Sequence, residues 1–518
     1  MKKAISVLRR AAKAAQASPI ALAAALLCSA GAGVAHAGES IEFGDGYKLD
    51  WRVNANYTLG QRMKSPDPLL AGNAAGNDGN NNFAKNAFTT NRLSLLFESK
   101  LSKGDSGLVL SGSTFYDDVY HNTNDNTGRL ISKPGAANRF TAEAKRFHGG
   151  YSRFLDAYAY TSFDFGESSR ATVRVGRQVV NWGEATYFGN ISQAQGPFDG
   201  TKSGVPGTEI KDSVLPEDQI AVSLELTPRF TLLGQVQYGF HETIVQAPGS
   251  FMSTSDGVGP GGTCLGVYAN NNCMGLSRGE DIKPSKTGQW GIGTRYRLTD
   301  ETEAGLYYLN YNDRNPSVVP GRGTYQVRYF DDVKMLATTV STTFGSTSAY
   351  LEASYRKGAP LISGMGIPQR ANVTQINIGN LTNIGRSPIA DSMTLIGEIA
   401  GTKYSGYEGS KRALSFKTDS GVAISGTLVL GYPGVFEGWD LTVPISYSQQ
   451  IVGRTLVGTS LNGEGDKRYS LGATFVRRGN TSVNVTYLGY LGSASLDATR
   501  NRLVTDRDQL SLNLKHSF

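Results

Sequence analysis

Residues 47–62 of this 518-residue chain read YKLDWRVNANYTLGQR, in which apolar and polar residues alternate without interruption from Tyr47 to Leu59. This period of two predicts a β-strand with one apolar and one polar face. At about 3.3 Å per residue the strand would extend over roughly 50 Å, whereas strands of globular proteins usually have five or six residues. Any fold for this chain must accommodate a strand of this length.

Alternating segments of the same kind recur along the whole chain, and after residue 37 no apolar run approaches 18 residues. Glycine (63 residues) and tyrosine (25 residues) are abundant, and helical periodicity is scarce. The chain is therefore predicted to be all-β, as either a string of β domains or one large barrel. The clearest further strands are predicted at 92–101, 155–165, 220–226, 289–298, 332–344, 348–358, 391–404, 439–449, 468–476 and 510–518.

The connections between these segments alternate in length. Short turns are predicted at 102–107, 166–169, 227–229, 298–302, 344–347 and 477–480, and long polar loops at 63–87, 118–150, 182–217, 241–287, 313–331, 359–370, 405–420, 451–467 and 492–504. Short turns at one end and long loops at the other are typical of a transmembrane antiparallel β-barrel. Without the weak segment NVTQINIGNL (372–381) the count is 17 strands, whereas a bacterial single-chain barrel is expected to have an even number. Including this segment gives the predicted 18 strands, with 16 as the alternative.

A barrel also explains which face of a strand meets water. In lipid every backbone N–H and C=O group must be bonded internally, so a β-protein can span a membrane only as a closed barrel. The apolar face of residues 47–62 is then predicted to face lipid, and the polar face to look into a wet lumen. Trp51, Trp290 and Trp439 suit the aromatic belts at the membrane interfaces.

Residues 1–37 have a basic start, a short apolar run and an A-x-A ending at Ala37, which predicts a cleaved secretory signal peptide. Its removal takes five basic and no acidic residues, lowering the formal net charge from +7 to +2. No basic block remains, so nucleic acid is not a predicted partner. We expect one mature domain, residues 38–518, in the bacterial outer membrane.

The mature chain keeps two cysteines, Cys264 and Cys273, in a Gly/Asn-rich stretch. In an exported protein such a pair predicts a disulfide that closes a short loop, and no further metal ligands lie nearby. Residues 77–82 (NDGNNN) and 117–126 contain possible calcium ligands, but neither has the EF-hand spacing, so both are predicted to be solvated loops. No G-x-S-x-G or H-E-x-x-H motif occurs, and we expect neither an enzyme nor a cofactor.

The loop at 181–217 is the main candidate for a site. We predict that it folds inward and narrows the lumen, the alternative being a cap over the barrel rim. Charges of both signs are predicted on the lumen wall, where they either select permeants or pair across neighbouring strands. The predicted lumen and constriction residues are Arg52, Arg92, Arg177, Trp182, Glu184, Glu209, Lys211, Arg295 and Arg297.

Three stretches resemble the outer-membrane family catalogued as domain of unknown function 1302. These are RVGRQVVNWGEATYFGN with VPGTEIKDSVLPE, then YFDDVKMLATTVSTTFG with AYLEASYRKGAPL, and NRLVTDRDQLSLNLKHSF at the end. The most specific blocks are residues 182–184 and 506–508. The resemblance implies an envelope protein of proteobacteria, found beside efflux-type transporters and linked to lipids, sterols or other hydrophobic compounds.

The predicted function is a bacterial outer-membrane channel or transporter for small molecules, most of all hydrophobic or amphipathic ones. The alternatives are a general hydrophilic porin and a docking barrel for a periplasmic or inner-membrane transport system. Outer-membrane lipid is the expected surrounding. The last strand stops on Phe518, which resembles the signal read by the barrel-assembly machinery.

Overall fold

A computed structural model describes residues 40–128, 130–361, 368–407, 418–454, 463–477 and 479–518. The predicted signal peptide lies outside these residues. Within these ranges, no helix has the length and apolar character needed to cross a bilayer. The described chain is dominated by long strands, as the alternating sequence predicts.

The strands in chain order are β1 (Ile41–Phe43), β2 (Tyr47–Arg62), β3 (Phe88–Lys103), β4 (Ser106–Asp117), β5 (Ser152–Asp164), β6 (Arg170–Gln178), β7 (Glu217–Thr227), β8 (Phe230–Gln237), β9 (Cys264–Leu265), β10 (Tyr268–Ala269), β11 (Asn272–Cys273), β12 (Leu276–Arg278), β13 (Gln289–Arg297), β14 (Thr302–Tyr311), β15 (Ser317–Pro320), β16 (Thr324–Arg328), β17 (Val333–Phe344), β18 (Thr347–Leu361), β19 (Gln369–Gly385), β20 (Ser392–Ser405), β21 (Ser420–Phe436), β22 (Trp439–Gly453), β23 (Lys467–Arg477), β24 (Thr481–Leu491) and β25 (Gln509–Ser517). Short helices lie in the connections: α1 (Pro68–Ala71), α2 (Asp78–Asn81), α3 (Ala142–Ala144), α4 (Ile191–Gln195) and α5 (Ile210–Ser213).

Eighteen strands, namely β2–β8, β13, β14 and β17–β25, form one closed antiparallel barrel. The predicted 18-stranded barrel is confirmed, and the weak segment at 372–381 lies inside β19. Two to six residues connect the strands at one end, which we call the turn end. Seven to 51 residues connect them at the other end, the loop end. The short/long alternation of the sequence therefore follows the geometry of the barrel.

The barrel closes between its first and last strands. β2 pairs with β25 from Asn54 opposite Ser517 to Arg62 opposite Gln509. At the turn end of this seam, the Phe518 backbone N–H donates to the Val53 carbonyl (2.8 Å). At the loop end, the buried Arg62 guanidinium pairs with the Asp506 carboxylate (2.7 Å). The Asp-Arg-Asp block before the last strand thus holds the seam at the loop end.

The two faces of the barrel follow the alternation. On β19, Ile376 and Ile378 are 45% and 51% exposed outward, whereas the intervening Gln375 and Asn377 are buried inside. The inward polar face of β2 differs from the prediction of a wet lumen. Arg52 is exposed, but the polar residues above it are buried, namely Asn54, Asn56 and Thr58. Other protein segments fill the lumen at their height.

The loop end carries small structures of its own. β9, β12, β15 and β16 form a four-stranded sheet, and β10 pairs with β11 in a hairpin. A disulfide joins Cys264 of β9 to Cys273 of β11, with Cα atoms 5.7 Å apart. The sheet packs on a cluster around Phe240 and Tyr325. These elements lie outside the barrel wall.

The prediction that residues 77–82 form a solvated loop is wrong. Asn77, Asp78, Asn80 and Asn82 are all at most 1% exposed. They pack between the 238–288 connection and the last strand, where Asn80 donates to Asp506 (2.6 Å) and Asn82 to the Gly249 carbonyl (2.8 Å). Partners far away in the sequence bury this polar stretch.

Candidate functional site

The connection between β6 and β7, residues 179–216, folds into the barrel and does not cap the rim. It contains α4, a 3-10 turn at Gly200–Lys202 and α5. Its hydrogen bonds reach inward-facing side chains on β18, β20 and β21 at one part of the wall and on β2 and β4 at another. The predicted inward-folded loop is therefore confirmed, and we call residues 179–216 the inner loop.

Two wall carboxylates hold the first half of the inner loop. Glu352 on β18, fully buried, accepts backbone N–H bonds from Glu184 (2.6 Å), Ala185 (3.1 Å) and Ile191 (2.7 Å). Glu398 on β20 accepts the N–H groups of the next two residues, Thr186 (2.9 Å) and Tyr187 (2.6 Å). Several N–H donors stabilise each buried charge in place of a counterion.

Trp182 anchors the loop by packing. Its ring stacks on Tyr307 of β14 with centroids 5.7 Å apart, inside an apolar cluster that also contains Ile191 and Met335. Gly291 of β13 lies beneath the indole, where a Cβ atom would come within 3.1 Å of it. Apolar inward positions on β14 and β17–β20 thus form a core inside the barrel.

The second half of the inner loop attaches near the seam. Asn56 donates to the Gly207 carbonyl (2.6 Å), and Asn54 donates to the Glu209 carboxylate (2.9 Å). Lys515 of β25 pairs with the same Glu209 carboxylate (2.9 Å). These contacts bury the polar face of β2.

Ion pairs continue this attachment toward β3–β5. Lys211 bridges Glu98 (2.7 Å) and Asp156 (3.1 Å). Asp212 receives Arg153 (3.0 Å) and Lys202 (3.1 Å). Burial alone would raise the pKa of Asp212, but Lys202 and Arg153 hold it below its usual value. Burial lowers the pKa of the Lys202 ammonium to about 8, despite Asp212 nearby.

One part of the wall is left uncovered. In the described chain, no hydrogen bond or ion pair joins the inner loop to β22, β23 or β24, and its nearest polar contact is Tyr187 to Thr427 of β21 (2.8 Å). The inward face at mid-height on these strands carries Pro444, Gly472 and Leu488 together with six small, polar and partly exposed residues: Ser446, Ser448, Ser470, Thr474, Asn484 and Thr486. We call this surface the hydroxyl wall.

A cavity of about 530 Å³ lies on the turn-end side of the inner loop. Glu184 and Thr186 border it from the loop, and β13, β14 and β17–β20 supply its walls. Its lining combines charged groups (Arg297, Asp300, Glu301, Glu303), hydroxyl groups (Thr302, Ser341, Thr342, Thr343, Ser348, Tyr350) and apolar side chains (Ala349, Leu381, Ile396).

The predicted lumen arginines have different surroundings. Arg52 faces the lumen and pairs with Glu98 (3.4 Å), and Arg297 lines the cavity. Arg295 donates to the Tyr307 hydroxyl (3.2 Å) and to the Trp182 carbonyl (3.3 Å).

Arg92 lies beneath the loop-end connections. Its side chain is 5% exposed, pairs with Asp117 (3.2 Å) and lies over the Phe115 ring. It is placed to hold these connections together and has little access to the lumen.

The placement of Arg177 in the lumen is wrong. Its register opposite Asp218 puts it on the outward face of β6, with Val173 and Val175. There it pairs with Asp218 (3.3 Å) and donates toward His241 Nε2 (2.7 Å). Ligand atoms of Glu217, Asp218 and His241 lie within 4.8 Å of one another, but each carboxylate already has a guanidinium partner, Arg177 for Asp218 and Arg314 for Glu217.

The sequence analysis did not identify Glu398, which accepts two of the five backbone N–H bonds that hold the first half of the inner loop. The alternation in MTLIGEIAG does place Glu398 on the inward face of a strand. A lone inward carboxylate on a barrel strand cannot be told from an ordinary lumen charge, because its partners are about 210 residues away. No local pattern records such a contact.

Residues 18–518 match a sequence family described as "Protein of unknown function (DUF1302)". No protein among those with curated descriptions matches the chain. Similar solved structures include OccAB1 of Acinetobacter baumannii, with 12% identity, 93% of this chain and 99% of that chain covered, and a TM-score of 0.45. Pseudomonas aeruginosa OpdK with vanillate has 11% identity, coverage of 92% and 100%, and a TM-score of 0.43.

The outer membrane channel DcaP of Acinetobacter baumannii is also similar, with 12% identity, coverage of 93% and 100%, and a TM-score of 0.40. The TM-scores of all three structures lie below 0.5, so the likeness carries no conclusion about function.

Proposed function

Because this chain belongs to the DUF1302 family of proteins of unknown function, we propose its role from its own geometry: an outer-membrane channel for small amphipathic compounds. Its outward face suits lipid, since large apolar side chains are exposed along the barrel strands. Phe518, at the end of β25, is 45% exposed and suits recognition by the barrel-assembly machinery. Outer-membrane location and assembly by that machinery are parts of the proposal.

The hydroxyl wall carries the proposal. The inner loop is attached by hydrogen bonds and ion pairs to the wall on either side of β22–β24, and our proposal places the passage beside these strands. Most side chains on this wall are small, and hydroxyl groups pair with each other across strands, as in Thr427 with Ser446 (2.9 Å) and Ser425 with Ser448 (2.7 Å). Such a surface offers hydrogen bonds without a strong charge.

Exposed apolar side chains support the preference for amphipathic compounds. Ile210, at the start of α5, is 81% exposed although its neighbours Glu209 and Lys211 are both tied to the wall. Leu381, in the cavity lining, is 47% exposed. Apolar side chains facing water inside a barrel provide contacts for the apolar part of a permeant, while the hydroxyl wall accommodates its polar part.

The experiment is conductance and uptake with two neighbouring substitutions. Thr486→Trp places a large ring in the passage, whereas Val485→Trp places the same ring on the lipid face. Purified channels in planar bilayers and proteoliposomes should lose about half or more of their conductance and uptake with Thr486→Trp, because the ring narrows the lumen. Val485→Trp should match the unmodified protein. Equal behaviour of the two variants would contradict permeation along the hydroxyl wall.

The choice of permeant tests the alternatives. An amphipathic solute that does not cross lipid unaided, such as phenyl β-glucoside, should enter proteoliposomes faster relative to a sugar of similar mass than it does through a hydrophilic porin. If the ratio of the two entry rates depends only on the sizes of the solutes, a general porin would be favoured. No conductance or uptake, with a periplasmic protein co-purifying, would favour a docking barrel.

A further inference from the structure

The three residues of the Trp-Gly-Glu block, 182–184, differ in which of their groups contact the rest of the fold. Trp182 packs into the core inside the barrel. At Gly183 a Cβ atom would come within 2.8 Å of the Glu352 carboxylate, so the close approach of loop and wall requires glycine. Glu184 contributes its backbone N–H to Glu352. Its own carboxylate makes no ion pair in the described chain and borders the cavity.

The charges around this cavity do not balance. Four carboxylates line it, against the single guanidinium of Arg297: Glu184, Asp300, Glu301 and Glu303. The nearby Arg295 lies 3.8 Å from Glu303, and its donors are directed to Tyr307 and to a carbonyl. Glu303 also stands directly opposite Arg297 in the β13–β14 register. In the part of the chain that the structure describes, Glu184, Asp300 and Glu301 form no ion pair, and Arg295 offsets only part of the Glu184 charge.

The surroundings of Glu184 make an added cation favourable. Burial raises the pKa of its carboxyl group, with Arg295 opposing the shift and Glu352 and Glu303 adding to it. A protein cleft lined mainly by charges of one sign focuses their field, because the surrounding protein has a low dielectric constant. Tyr350 supplies a hydroxyl group at the rim of the cavity, and Leu381 and Ile396 supply apolar surface. The combination matches a compound with a cationic group attached to an apolar body.

We propose that this cavity is a binding site for cationic amphipathic compounds, with Glu184 as the anion that receives the cationic group. The proposal rests on the proposed function, because it names the class of permeant that the channel favours. It assigns the Glu184 side chain a contact with the permeant, whereas Trp182 and Gly183 position the inner loop.

Calorimetric titration of the full barrel in detergent tests the site without requiring conduction. The probes share one apolar body: phenethylamine (cationic), 2-phenylethanol (neutral) and phenylacetate (anionic). Phenethylamine should bind best, and Glu184→Gln should weaken it about tenfold, because a partly buried charge pair is lost. Glu184→Asp keeps the charge and should retain the order of the probes.

Glu167→Gln is the matched control, since it removes the same charge from a turn at the same end of the barrel, away from the cavity. It should bind phenethylamine as the unmodified protein does. Heat-modifiable mobility on gels checks that every variant is folded. Equal binding of phenylacetate, or unchanged affinity in Glu184→Gln, would overturn the proposal. Binding of phenethylamine without conductance would contradict the proposed channel and support the binding site. Conductance with equal binding of the three probes would support the channel and contradict the binding site.

Discussion

The carboxylate of Glu352 on the barrel wall accepts a hydrogen bond from the backbone N–H of Ile191 (2.7 Å), although 161 residues separate the two in the sequence. The same carboxylate holds two further N–H groups of the inner loop. One wall residue thus fixes where the loop crosses the lumen, and this relationship leads to the first prediction.

Replacing Glu352 with glutamine should loosen the inner loop. The amide has one uncharged acceptor oxygen where the carboxylate offers two, so the three N–H donors lose charge-assisted bonds at a cost of roughly 1–3 kcal/mol. Hydrogen exchange at residues 184–191 should accelerate, and bilayer conductance should become noisier or larger. Glu225→Gln, on the inward face of β7, is the control and should change neither quantity. Unchanged exchange in Glu352→Gln would show that the loop is held elsewhere.

The loss of stability caused by an arginine on the outward face should depend on how deep in the membrane the residue lies. Ile378 lies in the middle of β19 and is 51% exposed, so Ile378→Arg should lower the free energy of unfolding in lipid by about 2–4 kcal/mol. Phe344, at the turn end of β17, is 60% exposed, and Phe344→Arg should cost about 0–1 kcal/mol. Denaturant unfolding in vesicles measures both. Similar costs at the two positions would contradict the assignment of the lipid-facing band.

The buried pair Asp78 and Asp256 should make the loop end sensitive to pH. The Asp78 N–H donates to the Asp256 carboxylate (3.1 Å), and burial together with Asp256 raises the pKa of Asp78 to about 8. Because the folded state binds the Asp78 proton more tightly than the unfolded state does, this proton stabilises the fold. Its contribution to the free energy of unfolding is complete below pH 3.8, the usual pKa, and is lost as the pH rises to about 8. Proteolysis within 63–87 should therefore be faster at pH 9 than at pH 5.

Asp78→Asn provides the control for this pH effect, because an amide does not titrate. Its rate of proteolysis should vary less between the two pH values than that of the unmodified protein. If both proteins show the same pH dependence, the effect arises from another group.

The Cys264–Cys273 disulfide should stabilise its hairpin and leave the barrel unaffected. It closes a short segment outside the barrel wall, so Cys264→Ser should leave the unfolding temperature of the barrel within error. Cleavage by external protease in residues 264–275 should increase, because the open segment has more conformational freedom. A fall in barrel unfolding temperature would show that the loop-end sheet supports the wall.

The barrel can be predicted from the sequence because the patterns that indicate it are local. Alternation in residues 47–62 defines the faces of a strand, and connection lengths give the strand count and the two ends. Even the weak segment now inside β19 could be recovered, since an even number of strands required it. The strand faces follow from neighbouring residues alone, and the strand count needs only the order of short and long connections along the chain.

Contacts across the lumen could not be predicted in this way. Asn77 and Asp78 read as polar loop residues, yet they are buried by segments more than 100 residues away. Arg177 is a different case, because it shares the parity of Val173 and Val175, so the alternation itself places it outward and only its charge suggested the lumen. Glu398 is visible only as an inward charge, and its N–H partners belong to the inner loop. Such features depend on tertiary packing.

The seam between β2 and β25 also determines when the barrel can close during synthesis of the chain. The strands that close the ring are the first and last of the barrel, and the Arg62–Asp506 and Val53–Phe518 contacts at its two ends each join residues more than 440 positions apart. A chain that stops before Gln509 would expose the edges of β2 and β24 to lipid, where unpaired backbone groups are not tolerated. In the proposed membrane location, closure would therefore depend on full-length synthesis, because a truncated copy would leave unpaired strand edges facing lipid.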